Sequence, residues 1–210
     1  MREGLKAVAH GVAWLAVTPS VLSWQLRTRI MGADRALESS TQAWALVPGL
    51  CGQYLRRAFL SRTLHSCAST ATIEFGTLFS SAAASIGERA YIGPRCHIGW
   101  AIIERDALLA AGVHVPSGAK THGFDDPLMP IRDQPRVKTA VRIGAGSWIG
   151  SAAVVMADVG RDSVIAAGAV VSKPIPDRVI AGGVPARVLR HRDGLGPQLA
   201  LAHHGLGGGG

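Results

Sequence analysis

One histidine stands where proton chemistry would need one. His122 lies in SGAKTHGFDDPLMPIRDQPRVKTAV, residues 117–141, a stretch without periodicity between two strongly periodic regions. Imidazole has an ordinary pKa near neutrality, so it can take a proton from a hydroxyl and return it later in the same cycle. Small Gly123 leaves space beside the ring, and Asp125 and Asp126 follow. Either carboxylate could fix the imidazole tautomer or hold substrate hydroxyls; the competing reading is a turn leading into Pro127. A long ordered loop that leaves regular structure is a frequent seat of function. The other reactive side chains suggest less. Cys51, Cys67 and Cys96 are widely spaced with no CxxC pair. They are expected as reduced, mostly buried thiols rather than a disulfide framework or a zinc site, which suits the cytosol. No P-loop, dinucleotide fingerprint or nucleophile elbow is present.

The elements that must hold His122 are written in a six-residue period. RIGAGSWIGS (142–151) carries Ile143-Gly144 and then Ile149-Gly150. Six fits neither the 3.6 of a helix nor the 2 of a single strand. Apolar residues recur as Ile73, Phe79, then Ile86, Ile92, Ile98, then Ile103, Leu109, Val115. The series resumes as Ile143, Ile149, Val155, then Val159, Ile165, Val171, with small residues beside many of them. A short fixed period rich in glycine and β-branched residues predicts a solenoid of short strands. Each step is one strand and one corner, and three steps close a triangular coil. One apolar side chain per step points inward, and the small neighbour is expected to let the backbone turn at the corner. End coils need covering. IPDRVIAGGVPARVLRHR (175–192) is expected to fold back over one face.

Residues 1–70 are expected to be a helical segment. GLKAVAHGVAWLAVTPSVLSW (4–24) is about the length of a membrane span, yet Lys6 and His10 interrupt it and Pro19 is expected to break the helix. No Ala-x-Ala cleavage pattern follows it. A packed helix, one lying in a bilayer interface, and a span all remain open; Arg27, Arg29 and Arg35 would suit anionic headgroups. Ser39-Ser40-Thr41 suggests an N-cap for a second helix that Pro48-Gly49 kinks or divides, with Arg56-Arg57 against its C-terminus. The chain of 210 residues is 48% hydrophobic and 17% charged, a folded composition. Its net charge of +8 favours an anionic partner, and without an arginine-rich, aromatic-laced run nucleic acid is not expected. Residues 193–210, ending in GGGG, are expected to be a disordered tail with His203 and His204 incidental.

The hexads together with SWIGS (147–151), VIAAGAVVSKPIPD (164–177) and AGGVPARVLR (181–190) resemble the hexapeptide-repeat acyltransferases, and within them bacterial sugar and exopolysaccharide O-acetyltransferases. The resemblance covers roughly residues 70–192. It implies a mainly β fold, a left-handed parallel β-helix at 71–192, with active sites between the subunits of a homotrimer. It implies acetyl-CoA as the acyl donor, a saccharide or lipid-linked saccharide as acceptor, and His122 as the general base. It further implies that Ser151 and Ala167 line the pantetheine slot, that Ser172 and Lys173 lie near its far end, and that Arg187 and Arg190 meet phosphates. Trp148 fits a wall of the slot, or packs on the solenoid instead. Asp125 and Asp126 are candidates for acceptor binding. A zinc-dependent carbonic anhydrase class shares this fold and uses three histidines. The spacings from His97 to His114 to His122 do not match that class, so no metal is expected. The site is expected in the cytoplasm, peripheral to or anchored at the inner face of the membrane. A longer acyl donor, an amine acceptor, or a catalytically silent scaffold that binds a membrane or partner are the alternatives.

Overall fold

Residues 2–192 are described by the structure, a computed structural model. The expectations for residues 193–210 lie outside the described residues.

The hexad residues form three stacked parallel sheets, the faces of a left-handed β-helix of about six coils. The first face holds β1 (Ser66–Cys67), β4 (Ser85–Ile86), β7 (Ala101–Ile103) and β10 (Val141–Ile143). The second holds β2 (Thr72–Ile73), β5 (Tyr91–Ile92), β8 (Leu108–Leu109), β11 (Trp148–Ile149), β13 (Val164–Ile165) and β15 (Val179–Gly182). The third holds β3 (Leu78–Phe79), β6 (His97–Ile98), β9 (His114–Val115), β12 (Val154–Val155) and β14 (Val170–Val171). Inward residues stack in register as predicted. On the second face Ile73, Ile92, Leu109, Ile149, Ile165 and Ala181 form one column, each almost wholly buried. Full burial of such a side chain contributes about 1.5–3 kcal/mol. At the C-terminal end β16 (Arg187–His191) turns back antiparallel on β15, the predicted fold-back.

The small residue after each inward aliphatic has a different cause from the one expected. Gly144 and Gly150 do not turn the chain. The left-handed backbone positions lie two residues later, at Gly146 and Ala152. A Cβ on Gly144 would stand 2.6 Å from the backbone nitrogen of Arg161 in the next coil, and Gly150 faces Ala167 in the same way. The glycines therefore permit coil-to-coil contact rather than curvature.

The breaks in the hexad series all fall at one edge. From first face to second, and from second to third, inward residues are always six apart. From third to first the steps are seven (Phe79 to Ile86), five (Ile98 to Ile103), four (Val155 to Val159) and four (Val171 to Ile175). Val159 and Ile175 join the first face only as single bridges, the result of those shortened steps. The excursion of residues 117–140 leaves from this same edge, between Val115 and Val141.

Three helices cap the first coils: α1 (Arg2–Met31), α2 (Ala33–Ala45) and α3 (Gly49–Leu60). Pro19 sits inside α1 and does not break it, because Ala13, Val17 and Val21 on either side form one buried stripe. The Ser39-Ser40-Thr41 cap is also corrected. α2 begins at Ala33, after Gly32 in the left-handed region, and the Ser39 and Ser40 hydroxyls donate to the Ala36 carbonyl. Pro48-Gly49 divides α2 from α3 as expected. Arg57 lies in the last turn of α3 as expected, whereas Arg56 reaches the end of α2 instead. It is buried, and its guanidinium donates to the carbonyls of Ile73, Trp44 and Val47, pinning α3 to α2 and the first coil. Of the cysteines, Cys96 is buried and Cys67 half-buried, but Cys51 is exposed. α1 is long and apolar enough over Ala7–Met31 to cross a membrane, and the buried residues of that stretch are Ala13, Val17 and Val21.

Candidate active site

His122 opens into a cleft of about 910 Å³ with three walls. One wall is the outward row of the third face. His97 and His114 are register partners on adjacent strands, so their rings meet edge to face at 6.0 Å. A second wall is the start of α2, with Asp34, Arg35 and Glu38. The third is the excursion itself, with Thr121, His122, Arg136 and Lys138. Burial, then the neighbouring His114 charge, lowers the pKa of His97 against a raising influence from Glu38, so neutral imidazole is favoured there.

Asp34 ties the walls together. Its Oδ2 accepts from Lys138 Nζ at 2.7 Å, and its Oδ1 accepts from the Ala82 N–H at 2.9 Å and the Ser81 hydroxyl at 3.4 Å. Burial pushes this carboxyl up, but the hydrogen bonds from Lys138 and Ala82 and the Lys138 charge outweigh it and hold the pKa below its ordinary value. One side chain thus joins α2, the first coil and the excursion.

The excursion is held by a residue the sequence did not single out. Gln134 is 5% exposed. Its Nε2 donates to the carbonyls of Asp126 (2.8 Å) and Met129 (2.9 Å), and its Oε1 accepts from the Asp126 N–H (3.2 Å). The Gly123 N–H donates to the Pro135 carbonyl at 2.8 Å, next to His122. At the base, the Ser117 hydroxyl accepts from the Trp100 N–H and the Ser117 carbonyl from the Thr139 N–H.

The candidate residues divide into two groups. Asp126 makes a turn, with its Oδ1 accepting from the Leu128 N–H at 2.8 Å. Among the described residues no hydrogen bond joins Asp125 or Asp126 to the His122 ring, and neither lines the cleft. His97 and His114, considered only as metal ligands from the sequence, line it with His122, and among the described residues no group of three metal-binding side chains forms. The remaining candidates lie elsewhere on the coil. Ser151 and Ala167 are exposed on adjacent coils at the edge between second and third faces, where the Gly168 N–H donates to the Ser151 carbonyl. Trp148, 52% exposed, points outward from the second face. Arg190 is paired with Ile180 at the end of that face, and Arg187 is exposed nearby. Ser172 and Lys173 are exposed just after β14. Within one chain, His122 and this second group do not share a cavity.

Residues 83–116 and 140–173 match the family described as the hexapeptide repeat of succinyl-transferase. A probable acetyltransferase of Mycobacterium tuberculosis is 44% identical over 73 residues, 34% of this chain and 24% of that protein. The serine acetyltransferase of Escherichia coli is 32% identical over 104 residues, 50% of this chain and 34% of that protein. The chain thus spans about a quarter to a third of the length of these relatives. Among solved structures, a galactoside acetyltransferase in complex with coenzyme A superposes with a TM-score of 0.63 at 22% identity, over 77% of this chain and 83% of that one. Repeat, coil and relatives agree in making the solenoid of this chain similar to the hexapeptide-repeat acyltransferases.

Proposed function

We propose that this protein transfers an acetyl group from coenzyme A to a hydroxyl of a saccharide or lipid-linked saccharide. The cleft that brings His122 together with the His97–His114 pair and the polar start of α2 carries this reading. His122 takes the acceptor's hydroxyl proton as the oxygen attacks the thioester carbonyl. The C–S bond then breaks, and the imidazolium returns its proton to the departing thiolate. Such a base is worth about 10²–10⁴ in rate. The galactoside acetyltransferase whose coil this chain shares supports both coenzyme and acceptor class. The separation of His122 from Trp148, Ser151, Ala167, Ser172, Lys173, Arg187 and Arg190 supports sites completed between subunits, in a trimer closed head to tail. The similarity to serine acetyltransferase favours a second reading, an amino-acid hydroxyl as acceptor.

The test is acetyl transfer to a panel of saccharides that also contains serine, with coenzyme affinity measured by calorimetry. His122→Ala is expected to lower transfer about 10²-fold or more while coenzyme binding changes little. Arg187→Ala is expected to weaken coenzyme binding and leave turnover at saturation nearer normal. Near-normal turnover of His122→Ala on an acceptor that wild type uses would refute the assignment of the base.

A further inference from the structure

α1 is apolar on both sides, and only one side is covered. Ala13, Val17 and Val21 face the other helices at 0–4% exposure. On the opposite side Val8, Val12, Leu15, Leu22, Leu26 and Ile30 stand 58–78% exposed. Their spacing of three, four and seven puts them on a single stripe, with exposed Pro19 filling its one gap. Val8 to Ile30 is about 33 Å of helix. Leu50, 70% exposed on α3, widens the stripe beside Val8 and Val12, with which it lines an apolar groove.

Among the described side chains, the charges beside this face have one sign. The Arg57 guanidinium lies over the Tyr54 ring and meets His10 of α1. Arg62 lies 4.1 Å from the centre of the Trp14 ring and donates to Thr18. Arg29 is exposed in the last turn. Among the described side chains of the three helices the carboxylates are Asp34 and Glu38, and both face the cleft. Half-exposed Trp14 under an arginine is an amphipathic pair suited to a water–lipid boundary.

We propose that the outward face of α1, with Leu50 of α3, docks flat on an anionic lipid bilayer. A continuous aliphatic stripe bordered by arginines matches acyl chains below and phosphate headgroups at the side. A second copy of the chain on this face would set arginine against arginine. A transmembrane α1 would lose its packed stripe, its Ser20 bond to Trp44 Nε1 and the Arg27 bonds to Ser39 and Ser40. The stripe ends at Ile30, just before α2, whose first turns wall the cleft. Docking therefore brings the start of α2, one wall of the cleft, close to the membrane surface.

The experiment is flotation of the full chain with vesicles of phosphatidylcholine alone or mixed with phosphatidylglycerol. Wild type is expected to float with the mixed vesicles, less with the neutral ones, and less again at high salt. Leu15→Glu/Leu22→Glu, at exposed positions, is expected to lower binding about 10-fold or more, with thermal midpoint and sedimentation mass unchanged. Arg29→Glu is expected to weaken binding to the anionic vesicles only. Failure of wild type to float, or unchanged flotation of the double variant, overturns the proposal. A fall in oligomeric mass of the double variant also overturns it, by making the face a contact between copies.

Discussion

Gln134→Ala separates the order of the excursion from the stability of the coil. The amide makes three hydrogen bonds, all to main-chain groups of residues 126 and 129. A hydrogen bond of this kind contributes about 0.5–1.5 kcal/mol net, so the three together hold the excursion by about 1.5–4.5 kcal/mol. That corresponds to about a 10-fold to 2,000-fold change in how often the segment opens. None of these bonds reaches an inward-facing column, so the coils should keep their stability, with a thermal midpoint within about 3 °C of wild type. Hydrogen exchange is the direct assay. The amides of Gly123 and Asp126 should lose protection by that factor, while those of Ile149 and Ile165 keep theirs. The proposed acetyl transfer should fall with the protected fraction, because His122 is carried by the same segment. A large drop in thermal midpoint, or unchanged exchange at Gly123, would refute the separation of excursion from coil.

Ile149→Asp, at a fully buried position in the longest column, should cost several kcal/mol and abolish the cooperative transition near its wild-type temperature, read by circular dichroism. Asp34→Asn removes the negative partner of Lys138. Because the folded pKa of Asp34 is depressed, its contribution is complete above the unfolded value near 4 and is lost as pH falls through the folded value. The half-exposed pair is worth about 1 kcal/mol. The midpoints of variant and wild type should therefore differ by about 2–4 °C at pH 7, and the difference should close as the pH falls below the unfolded value through the depressed folded one. A thiol reagent at pH 8 should label Cys51 quickly and spare Cys67 and Cys96, because burial pushes those two thiols up to about 12 and about 11; rapid labelling of all three would contradict it.

The coil was legible because each step commits one side chain to the interior, and Ile149 reads the same way in sequence and in space. The purpose of its neighbour was not. A glycine looks alike whether it bends the chain or admits another chain, and only the distance from Gly144 to Arg161 separates the two cases. The helix boundaries misled for a related reason. Ser39 and Ser40 have the chemistry of a cap, but their hydroxyls bond inside the helix and to Arg27. His122 could be chosen from its segment and the flanking motifs. The wall facing it could not, since the Lys138–Asp34 contact joins residues 104 apart. Gln134 had no signal at all, as one amide among the prolines and charges of an aperiodic stretch.

Confining irregular spacing to one edge has a consequence for how such a protein can change. An extra residue at either of the six-residue edges would rotate the next inward side chain out of its column and shift the coils that follow. At the third edge, spans of four to seven residues already coexist with one of 28, and the columns do not register the difference. Closing the 28-residue span instead of a five-residue one costs only about 1.5 kcal/mol of chain entropy. Length and composition there are free parameters of the molecule. Insertions near Leu128, which is 94% exposed, should be tolerated where a single residue added between Ile143 and Ile149 is not. A library built at that one edge would sample new loop surfaces beside the cleft on an unchanged chassis.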